Sequence, residues 1–156
     1  MIYSKKFDEL ITAPADTLRA RYFANLSNPV PFSNLAELPN EKGIYFIYHC
    51  GLEAGPIYIG SAHTGKRTLR IRCGQYVQKG SGGESVRGRL GKLLGLSDDE
   101  AIQYVRDNLS IRYIAMASSQ KNHIVQFEQA AIWACQPVLN YILDKFEYGE
   151  LAGYIR

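Results

Sequence analysis

The chain has 156 residues, enough for one domain with a proper core. Its 46% hydrophobic and 21% charged residues are ordinary for a globular protein, and no stretch approaches the roughly 18–20 apolar residues of a membrane span, so no membrane partner is expected. The net charge of +3 decides little by itself, and the three scattered cysteines, Cys50, Cys73 and Cys135, lack the spacing of a zinc site or a disulfide framework.

The first sixteen residues mix charges with apolar side chains and lack the unbroken apolar core of a secretory leader, so a cytoplasmic protein is expected. Phe7, Leu10 and Ile11 stand at helical spacing, and 17–26 carries a second short helical pattern before Pro29, Pro31 and Pro39 break the chain into loop. Residues 43–50, GIYFIYHC, are rich in β-branched and aromatic residues and predict a strand. A turn over 51–56 leads to a second strand at 57–60, so the two should form an antiparallel hairpin.

A helix is predicted over 68–77, then a flexible GSGG at 80–83, then a helix over 85–94 with Val86, Leu90, Leu93 and Leu94 on one stripe and a basic opposite face. Ser97 followed by Glu100 is a capping-box signal that opens a helix to about Asn108. Residues 110–116 alternate as a third strand, and 122–135 is a helix stopped by Gln136-Pro137. The elements predict an α/β fold with a small, mainly antiparallel, three-stranded sheet flanked by helices. Residues 1–40 form a helical extension packed on it, and 143–156 form a tail.

Charge distribution is more informative than its sum. Between Ser61 and Ser97 stand Lys66, Arg67, Arg70, Arg72, Lys79, Arg87, Arg89 and Lys92, opposed by Glu84 alone. Such a block attracts polyanions, nucleic-acid backbones above all, although a merely solvated basic surface has the same composition.

The tripeptides Gly43-Ile44-Tyr45 and Tyr58-Ile59-Gly60 sit thirteen residues apart, tyrosine to tyrosine. Thr68-Leu69-Arg70-Ile71-Arg72 and Tyr76 follow, then Glu128 in a helix and Asn140 twelve residues later. Taken in order over 41–142, these residues resemble the GIY-YIG nuclease family. The resemblance implies a metal-dependent endonuclease that uses one Mg²⁺ or Mn²⁺ ion and cuts phosphodiester bonds by in-line attack of water, leaving 5′-phosphate and 3′-hydroxyl ends. It prefers Arg72 over Arg70, about 160° away around the helix, as the guanidinium on the phosphoryl group. It also implies that Tyr45 helps to activate water, with Tyr58 and Tyr76 as aligners.

The residues support parts of this independently. Glu128 shares a helical face with Ile124, Ala131, Ile132 and Cys135, so its carboxylate points toward the core and needs either a cation such as Mg²⁺ or an Arg or Lys partner. A phenol is a poor base unless a nearby cation depresses its pKa, and Arg72 with the metal is expected to depress Tyr45. Gly60, His63, Lys66 and Asn140 are expected to support the site, His63 or Lys66 standing in for the lysine that many family members carry where Ser61 stands. Arg70, Lys79, Arg87, Arg89 and Lys92 are expected to follow the nucleic-acid backbone, DNA in preference to RNA. Specificity would come from the first forty residues, the 65–83 excursion, a partner protein or a second copy in a homodimer. The run Gly60-Ser61-Ala62-His63-Thr64-Gly65-Lys66 imitates a P-loop, but Arg67 stands where that motif needs Ser or Thr for Mg²⁺. A nucleic-acid-binding module without catalysis is the alternative. The nuclease reading requires the Glu128 carboxyl and Arg72 to converge on the side of the sheet that carries Tyr45 and Tyr58.

Overall fold

The computed structural model describes residues 3–50, 55–80 and 84–141. The expected tail at 143–156 lies outside them. The centre is an antiparallel sheet of strands β1 (Val30–Pro31), β2 (Gly43–His49), β3 (Tyr58–Ala62) and β4 (Leu109–Ala115), in the order β1-β4-β2-β3. The predicted hairpin is present, with Tyr45 opposite Gly60 and Ile47 opposite Tyr58.

Four strands stand where three are expected. The addition is β1, two residues paired to β4 at the sheet margin, with Val30 opposite Ile111. Its proline marks it as loop in sequence, yet an edge strand tolerates the missing N–H.

Helices cover both faces, which explains why β2 is apolar without interruption. On one face Tyr45, Ile47, Tyr58 and Ala62 pack with Leu69 and Cys73 of α2 (Leu69–Gly74), Tyr76 and Val77 of the 3-10 turn after it, Leu90 and Leu93 of α3 (Arg89–Leu94), and Ile102 and Val105 of α4 (Asp98–Asn108). On the other face Ile44, Phe46 and Ile59 meet Ile124 and Ala131 of α5 (Lys121–Cys135) and Tyr22 of α1 (Tyr3–Asn25).

The predicted capping box opens α4: Ser97 Oγ accepts from the Glu100 amide and Glu100 Oε2 accepts from the Ser97 amide. Such caps are worth about 1 kcal/mol. The two N-terminal helical patterns are one helix with Pro14 inside it, docked on α5 where Tyr22 Oη donates to the Phe127 carbonyl at 2.9 Å. The predicted helix over 85–94 begins instead as a π-helical turn, Glu84–Gly88. After α5, Gln136 takes a left-handed conformation and a short α6 (Val138–Tyr141) follows. No helix among the described residues is long and apolar enough to cross a membrane.

Candidate active site

Alternation along β2 and β3 sends Tyr45 and Tyr58 to the α2 face, where Tyr76 joins them. The three ring centroids are 6.1–6.3 Å apart. Gly60 makes room for this group, because a Cβ there would stand 2.5 Å from Tyr45 Cζ.

Arg72 closes the cluster from α2. Its guanidinium donates to Tyr45 Oη and to Gln75 Oε1 at 2.8 Å, approaches Ser85 Oγ at 3.4 Å, and stands 5.1 Å from the centre of the Tyr76 ring. Tyr45 and Tyr76 share a hydrogen bond of 2.5 Å, and Ser85 Oγ donates to Tyr76 Oη. Arg72 therefore has a preset orientation, the property a phosphate-binding guanidinium needs.

One electrostatic expectation is corrected. Tyr45 is fully buried, and burial followed by the neighbouring Tyr76 and Tyr58 phenols pushes its hydroxyl well above its usual range; the charge of Arg72 opposes this but is the smaller effect. Burial likewise raises Tyr76. Tyr45 is thus a neutral partner of Arg72 in this arrangement and not a depressed phenol. Tyr58 is also buried, at 8% exposed the least so of the three.

Glu128 does not approach from the face expected. Its helix packs on the opposite side of the sheet, and its carboxylate accepts from Ser61 Oγ. Ser61 pairs with Ile44 and so points to the α5 side. Ser61 Oγ also contacts His63 Nδ1 at 2.8 Å, so the hydroxyl bridges the imidazole and the carboxylate. Burial raises the Glu128 pKa, while the Ser61 hydrogen bond and the charges of His63 and Arg72 pull it down. Carboxylate and guanidinium thus feel each other around the outer strand, β3, without sharing a face. Ser61, Gln75 and Ser85 were not among the expected site residues. Alternation along β3 sets Ser61 on the face away from Tyr58, and it is the packing of α5 on that face, which the sequence does not disclose, that brings it beside Glu128.

Asn140 is joined to β3. Its Oδ1 accepts from the Ile59 amide at 2.9 Å and its Nδ2 donates to the Ile59 carbonyl at 2.8 Å. Lys66 is exposed in the turn after β3.

The basic block expected to follow nucleic acid is largely occupied with holding the fold. Arg87 is 4% exposed, paired with Asp98 and donating to the carbonyls of Gln75, Gln78 and Gly80. It is an internal clamp and not a backbone contact. It stands three residues before Leu90 and seven before Leu94, so helical spacing sets it at the flank of the buried stripe. Arg70 donates to the carbonyls of Ala36 and Leu38, Arg89 to that of Leu139, and Lys79 pairs with Asp99.

No protein-family model matches the chain, and no curated protein or solved structure matches it.

Proposed function

We propose that the protein is a metal-assisted endonuclease of GIY-YIG type that hydrolyses phosphodiester bonds in DNA, in a form that departs from the expected convergence on one face: Arg72 and Glu128 act from opposite faces of the sheet at the outer strand β3. The observation that carries this reading is Arg72: a charged guanidinium preset by Tyr45, Gln75, Ser85 and Tyr76, within electrostatic reach of the Glu128 carboxylate.

The residues around Glu128 fit a hydrated divalent ion. A carboxylate and the Ser61 hydroxyl are oxygen donors of the kind Mg²⁺ and Mn²⁺ favour. No group of three His, Cys, Asp or Glu side chains gathers among the described residues. That donor set suits an ion completed by waters and the substrate phosphate rather than a protein cage. Held by Glu128, such an ion would supply positive charge to stabilise the departing oxygen.

The chain's own residues account for the rest. Arg72 binds the phosphoryl oxygens as charge builds on them in the in-line displacement. Tyr45 and Tyr76 hold Arg72 in place, and Tyr58, the least buried of the three phenols, orients the attacking water. Ser61 fixes the Glu128 rotamer, and Asn140 anchors α6 to β3 beneath the site.

Two observations favour the alternative, a DNA-binding module without catalysis: the burial of Tyr45 and the approach of Glu128 from the opposite face. Nicking of supercoiled plasmid with Mg²⁺ or Mn²⁺ against EDTA separates the readings. Metal-dependent nicking is expected, with Glu128→Ala inactive and Arg72→Ala lowered about 10²–10³-fold. DNA retained without cleavage in either metal would establish the binding module.

A further inference from the structure

Sorting the Lys and Arg side chains by what holds them leaves a small set. Arg21, Lys42, Lys66, Arg67 and Lys121 have no ion-pair or hydrogen-bond partner for their charged groups among the described residues. All but Arg21 belong to one end of the sheet. Lys42 directly precedes β2, Lys66 and Arg67 lie in the turn that follows β3, and Lys121 opens α5 a few residues after β4. Strand register brings these points together, since Gly43 is paired with both Ala62 and Ala115. Backbone bonds close the end: the Met116 amide donates to the Lys42 carbonyl at 2.7 Å, and the Leu69 amide to that of Glu41 at 2.8 Å.

We infer that this strand-end rim, Lys42, Lys66, Arg67 and Lys121, holds the phosphodiester backbone of DNA on either side of the bond that Arg72 addresses. The inference rests on the nuclease reading for the place of cleavage, but its charge argument stands apart from it. The turn bearing Lys66 and Arg67 links Ser61 and His63 to the helix of Arg72. Lys121 lies seven residues before Glu128 on one helix, about 10 Å along its axis. A strand lying on this rim therefore runs along the chain segments that lead to both charged groups of the site. Lys66, Arg67 and Lys121 are exposed, and Glu41 is the acidic side chain next to Lys42. Exposed cations with no internal partner lose little on meeting phosphates and gain from counterion release, which gives affinity without reading sequence.

Fluorescence anisotropy of a labelled DNA duplex, titrated with the full chain at several salt concentrations without metal, tests this. The charge-reversed variant Lys66→Glu/Arg67→Glu/Lys121→Glu should bind about tenfold more weakly or worse, with its log affinity–log salt slope flattened by about two to three. Arg21→Glu, an equally exposed reversal on α1, should bind nearly as the wild type. Thermal melts within a few degrees of wild type show that the variants are folded. Wild-type affinity in the triple variant, an equal loss in Arg21→Glu, or no DNA binding by the wild type would each overturn the inference. Cleavage is read separately: nicking by the wild type with unaltered binding in the rim variants removes the rim and leaves the nuclease. Rim-dependent binding without metal-dependent nicking removes the nuclease and leaves the rim.

Discussion

Gly60 lies directly against the ring of Tyr45, so close that a methyl group on Gly60 would stand 2.5 Å from Tyr45 Cζ. Tyr45 cannot retreat, because it is fully buried and its hydroxyl is tied to Tyr76 and Arg72. Gly60→Ala should therefore cost about 1–3 kcal/mol through overpacking. Denaturant unfolding measures this, and any DNA nicking should fall further than the stability loss explains, because the displaced ring is the one that orients Arg72. Wild-type stability in Gly60→Ala would show that the ring has room the structure denies it.

Arg87 and Arg70 look alike in the chain and do different work. Arg87→Ala removes a buried guanidinium from Asp98 and three carbonyls, and charged hydrogen bonds of this kind are worth about 1.5–3 kcal/mol each before compensation by water. The net cost should be on the order of 3 kcal/mol. Arg70→Ala breaks bonds to Ala36 and Leu38 at a more exposed position and should cost about 1 kcal/mol. Thermal denaturation of both variants checks the order; the reverse would place Arg87 outside the fold's support.

These contrasts mark how far the sequence could be read. The hairpin and the capping box at Ser97 follow from local rules of turn chemistry, hydrogen bonding and alternation. The side of the sheet that α5 takes does not. The stripe of Ile124 and Ala131 says that α5 packs, yet both faces of β2 are apolar and would accept it. Glu128 was accordingly expected beside the phenols and instead reaches the β3 edge through Ser61. Arg87 is misplaced for a different reason: within a run of basic residues it reads as surface, although it stands three residues before Leu90 and seven before Leu94, at the flank of the apolar stripe, where Asp98 and the carbonyls of Gln75, Gln78 and Gly80 hold it. The strand at Val30–Pro31 was hidden because its pairing is decided by β4, eighty residues away, and not by its own residues.

Asn140 tests the join between α6 and β3. Asn140→Ala leaves the Ile59 amide and carbonyl without their side-chain partners, a loss of about 1–3 kcal/mol. Asn140→Asp keeps the acceptor for the Ile59 amide but sets a carboxylate oxygen against the Ile59 carbonyl, so it should recover little. Faster hydrogen exchange at Ile59 in both variants is the direct readout, and unchanged protection there would remove Asn140 as the anchor.

Glu128 supplies the pH dependence. Burial raises its folded-state pKa above the ordinary carboxylate value, so the metal-free protein binds that proton more tightly folded than unfolded. The sign follows: the protonated form favours the fold, full stability is present below the unfolded carboxylate pKa, and part of it is lost as pH rises through the raised folded value. Glu128→Gln should then be more stable than wild type at neutral pH, with the advantage disappearing in acid. Ser61→Ala acts in the opposite sense on the ionised form. It removes the hydrogen bond that lowers the Glu128 pKa, so the carboxyl should titrate at still higher pH, and the acid limb of any Mg²⁺-dependent cleavage should move up with it. Carbon-detected NMR titration of the metal-free side chain reads the shift without relying on activity. A Glu128 pKa that stays put or falls in Ser61→Ala would show that Ser61 does not hold the carboxylate.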